Sequence, residues 1–342
     1  MIRGIDRERR RSRTGWRSGI AAASIAATLA CDASGGQRAG PSMNLAADSM
    51  GVVPDAYRIE VSTRHGLVEN SGATMSVAQP GVWFTINDSG NDAVLFALDT
   101  TGADRGAWRI AGARNRDWEA LTLGPCTGGD SPDGPSLSQT CLFIGEVGDN
   151  DARHSSVLIY RVEEPAAEQR GFTGELRPTA LSFVYDGGPR DVEAMYAGPD
   201  GTLFLITKRA LEDTSGRLRP ALVFALPPAS WREPGSQATA TLVDSLPIVP
   251  GSALGRQITD AARSRDGGTV AVRTYTQLYV FRADTATGRI ATHVAPTICS
   301  IASLEERQGE GIAWFGDDGA WMLTSEGVNE PLHVVACPAP GD

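Results

Sequence analysis

Five segments of the chain can be laid over one another, and this internal repeat constrains the fold more than any other feature of the sequence. Each opens on a short run of acidic and small residues: Glu69-Asn-Ser-Gly-Ala, Asp117-Trp-Glu-Ala-Leu, Asp191-Val-Glu-Ala-Met, Ile258-Thr-Asp-Ala-Ala and Gln308-Gly-Glu-Gly-Ile. A turn often follows, as at Gly198-Pro-Asp-Gly or Asp266-Gly-Gly. Next comes an apolar strand: Val82–Ile86, Leu142–Gly145, Leu203–Thr207, Val270–Arg273 and Trp321–Thr324. The third strands are Val94–Leu98, Val157–Val162, Ala221–Leu226, Gln277–Phe281 and Leu332–Ala336. Fourth strands are readable in the first four units, at Ala107–Ile110, Ala180–Tyr185, Ala238–Ser245 and Arg289–Val294.

Short strands rich in Val, Leu, Ile and aromatic residues, broken by turn residues and repeated in fours, describe the blades of a β-propeller. One such sheet cannot bury both faces, so neighbours must stack and the ring must close. The fold class expected is therefore all-β, a single propeller of five four-stranded blades. The fifth unit lacks a fourth strand. Tyr57–Thr63 alternates like a strand and precedes the first unit, so it is expected to complete the last blade. Six blades would need a further unit within residues 228–257, and that alternative stays open at this point.

Charge is unevenly placed. Residues 1–30 hold seven of the 31 basic residues and two of the 41 acidic ones, leaving 24 basic against 39 acidic residues in the remainder. A cationic start followed by the small apolar run Ile20–Ala30 has the form of a secretory signal, too short in its apolar part to span a bilayer. Thr28-Leu-Ala-Cys31 is similar to a bacterial lipoprotein box, although Thr28 stands where an aliphatic residue is usual, which makes Cys31 the expected lipidation site. The expected organisation is a signal peptide over 1–30, a flexible tether rich in Ala, Ser and Gly over 31–55, the propeller over 56–338, and a tail over 339–342. The acidic remainder argues against a nucleic-acid partner, which would call for a basic surface.

Setting Cys31 aside leaves four cysteines, an even number that suits an oxidising compartment. Cys126 and Cys141 flank a Gly/Ser/Pro/Asp loop, and Cys299 and Cys337 flank the last repeat, so bridges Cys126–Cys141 and Cys299–Cys337 are expected among the three possible pairings. The spacings match no zinc motif, and the four histidines are scattered.

In a propeller the innermost strands surround a central channel. The repeat puts one acid per blade there: Glu69, Glu119, Glu193, Asp260 and Glu310. Five converging carboxylates repel one another and raise each other's pKa values unless positive charge joins them. Oxygen-only clusters suit a hard cation such as Ca²⁺. A second column lies at the channel mouth, at the ends of the second strands: Asp88, Glu146 with Asp149 and Asn150, Lys208, Arg273 and Glu326. Lys208 is the only lysine of the chain. It and Arg273 fall in corresponding places, so the two cations can instead neutralise the ring by salt bridges with no metal. Asn87-Asp-Ser-Gly-Asn-Asp and Gly148-Asp-Asn-Asp read either as calcium-binding loops or as ordinary tight turns, and neither has EF-hand spacing.

Taken together, Trp83-Phe-Thr-Ile-Asn-Asp-Ser-Gly, Asp117-Trp-Glu-Ala-Leu, Gly145-Glu-Val-Gly-Asp-Asn, Tyr160-Arg-Val-Glu-Glu-Pro, Asp191-Val-Glu-Ala-Met and Gln308-Gly-Glu-Gly-Ile resemble secreted bacterial β-propellers of unassigned function. More distantly they are similar to the SdiA-regulated, phytase-like and regucalcin/gluconolactonase propellers. The resemblance implies a propeller outside the cytoplasm that binds calcium or another divalent cation, with Glu119, Glu193 and Glu310 matching the channel-facing acid motifs. Asp260 and Glu69 depart from the pattern, and the lactonase metal-ligand set has no full counterpart.

No Gly-x-Ser-x-Gly elbow, HExxH helix, Walker loop or dinucleotide fingerprint occurs. The leading expectation is an exported, lipid-anchored monomer, periplasmic or on the cell surface, that binds a divalent cation and serves a small molecule or an envelope protein as a binding or scaffold module. The alternatives are a metal-dependent hydrolase of lactones or phosphoesters using the same channel, and a purely protein-binding ring.

Overall fold

A computed structural model of the chain describes residues 57–58, 67–126, 139–168, 170–208, 219–232, 235–248, 256–316 and 319–341. Cys31 and the expected signal and tether segments lie outside them, as do residues 59–63 of the expected closing strand. Among the described residues no helix is long and apolar enough to cross a membrane.

The described strands, taken in chain order, are β1 (Tyr57–Arg58), β2 (Asn70–Met75), β3 (Val82–Asn87), β4 (Val94–Asp99), β5 (Asp104–Ile110), β6 (Trp118–Pro125), β7 (Thr140–Glu146), β8 (Val157–Glu163), β9 (Phe172–Leu176), β10 (Thr179–Tyr185) and β11 (Val192–Ala197). They continue with β12 (Leu203–Thr207), β13 (Leu222–Leu226), β14 (Ala238–Ser245), β15 (Ile258–Arg263), β16 (Thr269–Thr274), β17 (Gln277–Arg282), β18 (Thr297–Ser300), β19 (Gly309–Phe315), β20 (Ala320–Ser325) and β21 (Pro331–Ala336).

The hydrogen-bonded order resolves them into five blades among the described residues: β2–β5, then β6, β7, β8 and β10, then β11–β14, then β15–β18, and finally β19, β20, β21 and β1. The innermost strands β2, β6, β11, β15 and β19 each touch the next, and β19 returns to β2, so the ring is closed. This is a β-propeller. Its last blade takes its outer strand from the start of the chain, with Tyr57 opposite Leu332 and Arg58 opposite Pro331.

Hydrophobic burial holds the blades face to face, and each interface has its own cluster. Phe84, Trp118 and Ile144 fill the space between the first and second blades, and Phe143, Phe183 and Phe224 that between the second and third. Tyr196, Phe204 and Phe281 lie between the third and fourth, Ile312, Trp321 and Leu323 between the fourth and fifth, and Trp83, Phe96 and Met322 where the fifth meets the first. Each such side chain, fully withdrawn from water, contributes about 1.5–3 kcal/mol or more. The inner strands must instead be small where they crowd the axis. Gly72 (φ +79) is one such place, since a Cβ there would stand 2.9 Å from the backbone nitrogen of Leu121 in the next blade.

Two features depart from the simple repeat. The connection between β8 and β10 runs back to the first blade, where β9 adds a fifth strand parallel to β5. Outer strands β10 and β14 also pair in parallel, joining the second and third blades into one eight-stranded sheet. The fourth strand expected at Arg289–Val294 is not one. Asp284 accepts hydrogen bonds from the backbone N–H groups of Ala286 and Thr287, folding the residues just before that segment into a turn, and the strand forms later as β18. No sixth blade occurs among the described residues of 228–257, which hold a 3₁₀ turn at Pro228–Trp231 and β14. Both expected disulfides are present. Cys126–Cys141 ties the ends of the β6–β7 hairpin, and Cys299–Cys337 ties β18 of the fourth blade to the chain just past β21 of the fifth.

Candidate metal centre at the acidic mouth of the channel

Each inner strand carries an irregularity in its ladder with the second strand, and these irregularities decide which side chains face the axis. In the second, third and fifth blades the ladder skips one inner residue: Glu119, Glu193 and Glu310. A skipped residue is released from the alternation of the pleat, which re-aims its side chain. In the fourth blade the skipped residue is Thr259, and in the first it is Gly72, with Ser71 beside it. Ser71 Oγ donates to Glu119 Oε2 at 3.0 Å, which puts this serine at the level of the acids.

Two expected column members therefore stand elsewhere. Glu69 precedes β2, is exposed, and accepts from Asn91 Nδ2 at 2.6 Å at the rim. Asp260 lies one residue past the skipped position and is fully buried. Its carboxylate accepts from the N–H of Ala261 at 2.8 Å, of Ile312 in β19 at 2.9 Å and of Ala73 in β2 at 3.3 Å. It thus reaches past the neighbouring fifth blade to the first and seals the channel below the acids. Burial pushes its carboxyl well up, while these three donors and Arg273 pull the other way.

The acids above this seal fall into two groups. Asp88, Asp117 and Glu119 each offer an oxygen, and the three oxygens lie within 4.8 Å of one another. Local sequence builds that convergence. Asn115 Nδ2 donates to the carbonyls of Asn87 and Asp88 at 2.8 and 2.7 Å, while its Oδ1 accepts from Trp118 N at 3.1 Å, so one side chain holds the Asp88 turn against the start of β6. Gly148 leaves room for the pair, because a Cβ there would stand 2.5 Å from Asp117 Oδ2 and 2.7 Å from Glu119 Cγ. Burial, then Asp88 and Asp191, push Asp117 up to about 6. Burial and then Glu193 and Asp88 push Glu119 well up.

Glu193 and Glu310 form the deeper group. Lys208 Nζ donates to Glu193 Oε1 at 2.7 Å. Glu310 Oε1 accepts from Tyr275 OH at 2.8 Å and from Gln308 Nε2 at 2.9 Å. Burial disfavours the Lys208 ammonium, but Glu193 and then Glu119 outweigh it and hold its pKa above the ordinary lysine value. Burial raises Glu193 well up against the pull of Lys208, and raises Glu310 as well. At the rim, Gln308 Nε2 also donates to Glu326 Oε1 at 2.8 Å, and burial followed by Glu310, Asp88 and Glu69 pushes Glu326 up to about 7.

The remaining mouth residues do other work. Glu146 pairs with Arg116 at 3.3 Å and receives the Tyr160 hydroxyl at 3.5 Å, at the interface with the first blade. Asp149 caps its own turn, accepting from the N–H of Arg153 at 2.9 Å and of His154 at 2.7 Å, and Asn150 is exposed in that turn. Arg273 does not enter the acid column. It is fully buried between the fourth and fifth blades, donates to the carbonyls of Thr324 at 2.9 Å and of Gly311, and pairs with Glu306. Of the two cations expected over the channel, only Lys208 joins the acids. Asp117 was not among the expected site residues. The signal for it is the repeated Asp-x-Glu spacing at Asp117/Glu119 and Asp191/Glu193.

Two carboxylate oxygens on opposite sides of a Ca²⁺ ion, each at about 2.3–2.6 Å, would stand about 5 Å apart, so the spread of the Asp88–Asp117–Glu119 oxygens fits a shared hard cation. The partly exposed position leaves further places for water, as such ions require.

The sequence matches no family model and no curated protein. Among solved structures it is similar to the glutaminyl cyclase of Myxococcus xanthus, at 12% identity over 80% of this chain and 93% of that one, with a TM-score of 0.41. It is similar also to a gluconolactonase of Xanthomonas campestris, at 15% identity over 80% and 78% with a TM-score of 0.39. A third is the Cps50 (Swd1) β-propeller domain from a Myceliophthora thermophila protein, at 10% identity over 79% and 97% with a TM-score of 0.38. The fold assignment rests on the strand order and the closed ring of this chain.

Proposed function

We propose that this chain is an exported propeller, lipid-anchored through Cys31, that takes up a divalent cation of the calcium class at its acidic channel mouth and acts there as a binding module for a small molecule or an envelope protein. The observation that carries this reading is the convergence of Asp88, Asp117 and Glu119, held together by Asn115 and given room by Gly148. Three carboxylates so close are self-repelling without a cation, and nothing but oxygen is offered, which favours a hard ion. The two disulfides suit an oxidising compartment.

The test is thermal melting of the whole chain in chelator and in millimolar Ca²⁺. A cation bound only by the folded ring raises stability by about 2.7 kcal/mol at one hundred times its Kd, and the gain should vanish in Asp117→Asn. No shift with Ca²⁺, Mg²⁺ or Mn²⁺ would overturn the cation reading. Anchoring has a separate check: labelling by a palmitate analogue should be lost in Cys31→Ser, and its persistence would refute the anchor.

A second reading, a metal-dependent hydrolase, draws support from Glu326, a carboxyl at about 7 beside the acids and so suited to proton transfer near neutrality. A cavity of about 330 Å³ also opens alongside, lined by Tyr275, Glu306, Arg307 and Gln308. Turnover of a lactone or phosphoester panel by the wild type, lost in Glu119→Gln, would favour it. Turnover undiminished in that variant would remove the channel from the chemistry.

A further inference from the structure

Glu306 carries a buried oxygen, Oε1, that has no hydrogen-bond partner. The side chain is only 4% exposed, and its other oxygen is taken by the Arg273 guanidinium. His333, which feels the charge of Glu306, does not donate to the free oxygen, and its own Nε2 is likewise without a partner. Glu306 also lines the cavity of about 330 Å³ beside the channel mouth.

That cavity lies between the turn joining β16 to β17 and the segment running from β18 to β19. Ile301 N–H donates to the carbonyl of Thr276 at 2.9 Å, which fastens the two together. Tyr275, Ile301 and Ala302 supply apolar surface, and Glu305, Arg307 and Gln308 are exposed around it. Glu305 stands in the left-handed region (φ +51) just before Glu306, a conformation that a side-chain-bearing residue keeps only where its surroundings impose it. Gly309 leaves room for the ion pair, because a Cβ there would stand 2.7 Å from Glu306 Oε2. The cavity shares a wall with the channel, since Tyr275 OH and Gln308 Nε2 both donate to Glu310 Oε1.

A single free oxygen beside an arginine is no place for a metal. A hard cation needs several oxygens, and among the described residues the one gathering of three metal-ligating side chains is Asp88, Asp117 and Glu119. The free oxygen calls instead for a hydrogen-bond donor. Glu310 and Glu326, both bound to Gln308 at the cavity edge, make the surroundings negative, and a donor that is itself charged bonds a carboxylate more strongly than a neutral one. We infer that this cavity is the small-molecule site of the ring and that its ligand is a primary amine, the ammonium donating to Glu306 Oε1 and the apolar stem lying against Tyr275, Ile301 and Ala302. The inference rests on the reading of the chain as a small-molecule binder and gives that molecule its chemical class.

Isothermal titration of the whole chain, in chelator, with n-butylamine, n-butanol and butyrate tests this. The amine should bind about tenfold tighter than the alcohol, as a charge-assisted bond to a carboxylate allows, and butyrate should bind weakest. Ala302→Trp, at an exposed position of the cavity wall, should abolish amine binding, and Glu306→Gln should lower it to the level of the alcohol. Equal affinity for amine and alcohol overturns the inference, as does amine binding undiminished in Ala302→Trp or a preference for the amine that survives in Glu306→Gln. Absence of binding by every probe overturns it too, leaving the free oxygen to water. Should Glu306→Gln fail to fold without its Arg273 partner, the alcohol comparison and Ala302→Trp still decide. Amine binding in a chain that Ca²⁺ does not stabilise would remove the cation and keep this site, and Ca²⁺ stabilisation without amine binding would do the reverse.

Discussion

Removing the Asp260 carboxylate should weaken the whole ring. The residue is fully buried and its oxygens accept three backbone N–H groups, two of them from strands of other blades. In Asp260→Ala the N–H groups of Ala73 and Ile312 lose that acceptor in a place closed to water, at about 1–3 kcal/mol each, or about 2–6 kcal/mol together. Part of that is offset because a charge no longer has to be buried, so the expected net loss is about 2–4 kcal/mol. Asp260→Asn discriminates further. Every partner of this carboxylate is a donor, so an amide keeps one acceptor and turns an N–H₂ toward donors, and about half the loss should remain. Urea unfolding with the disulfides intact measures both variants, with Glu69→Gln at the exposed rim as a control expected to stay within about 0.5 kcal/mol. An asparagine variant as stable as the wild type would refute the reasoning. So would an alanine variant that loses less than the control.

Two more outcomes follow from the bridges and the rim. Opening Cys299–Cys337, whose cysteines stand 38 positions apart, should cost about 4 kcal/mol, and opening Cys126–Cys141, 15 positions apart, about 3, both from loop entropy in the unfolded chain. Chemical unfolding of the two double Cys→Ser variants checks the order, and a smaller cost for the longer bridge would refute it. Glu326, held at about 7 by burial, Glu310, Asp88 and Glu69 and eased by Lys208, binds its proton more tightly folded than unfolded. Its contribution is therefore fully present below the ordinary carboxylate range and is lost as pH rises through about 7. Unfolding measured in chelator should show Glu326→Gln gaining on the wild type between pH 5 and 7.5, and parallel profiles would contradict this.

The repeat made the ring legible because strand periodicity and turn residues are local properties, and inner, second and third strands all stand where the pattern puts them. The acids at Glu119, Glu193 and Glu310 were legible for the same reason. Matching acids by identity failed at Glu69 and Asp260, where side-chain direction depends on which residue the ladder skips: Asp260 stands one residue past the skipped Thr259 and is a seal, and Glu69 stands three residues before the skipped Gly72 and is a rim group. Arg289–Val294 has the composition of a strand, but Asp284 ties the preceding segment into a turn and leaves pairing to Thr297–Ser300. Strand β9 was not legible at all. Its partner β5 lies in another blade, and Phe172–Leu176 is too short and too exposed to carry an alternating pattern. The gathering of Asp88 with Asp117 depends likewise on Asn115, whose partners are backbone atoms 27 and 28 residues away.

The pairing of β1 with β21 also sets an order of events. In synthesis, Tyr57 and Arg58 leave the ribosome long before Leu332 and Pro331, so the first-made strand waits unpaired until nearly the whole chain exists. Contacts so distant in sequence form late, since the loop entropy they require is spent before they return anything. The last blade becomes a full sheet only when Tyr57 and Arg58 meet β21. Until then β21 is the open outer edge of that blade. Completion of the last blade is thus separate from closure of the ring, which rests on the contact of β19 with β2.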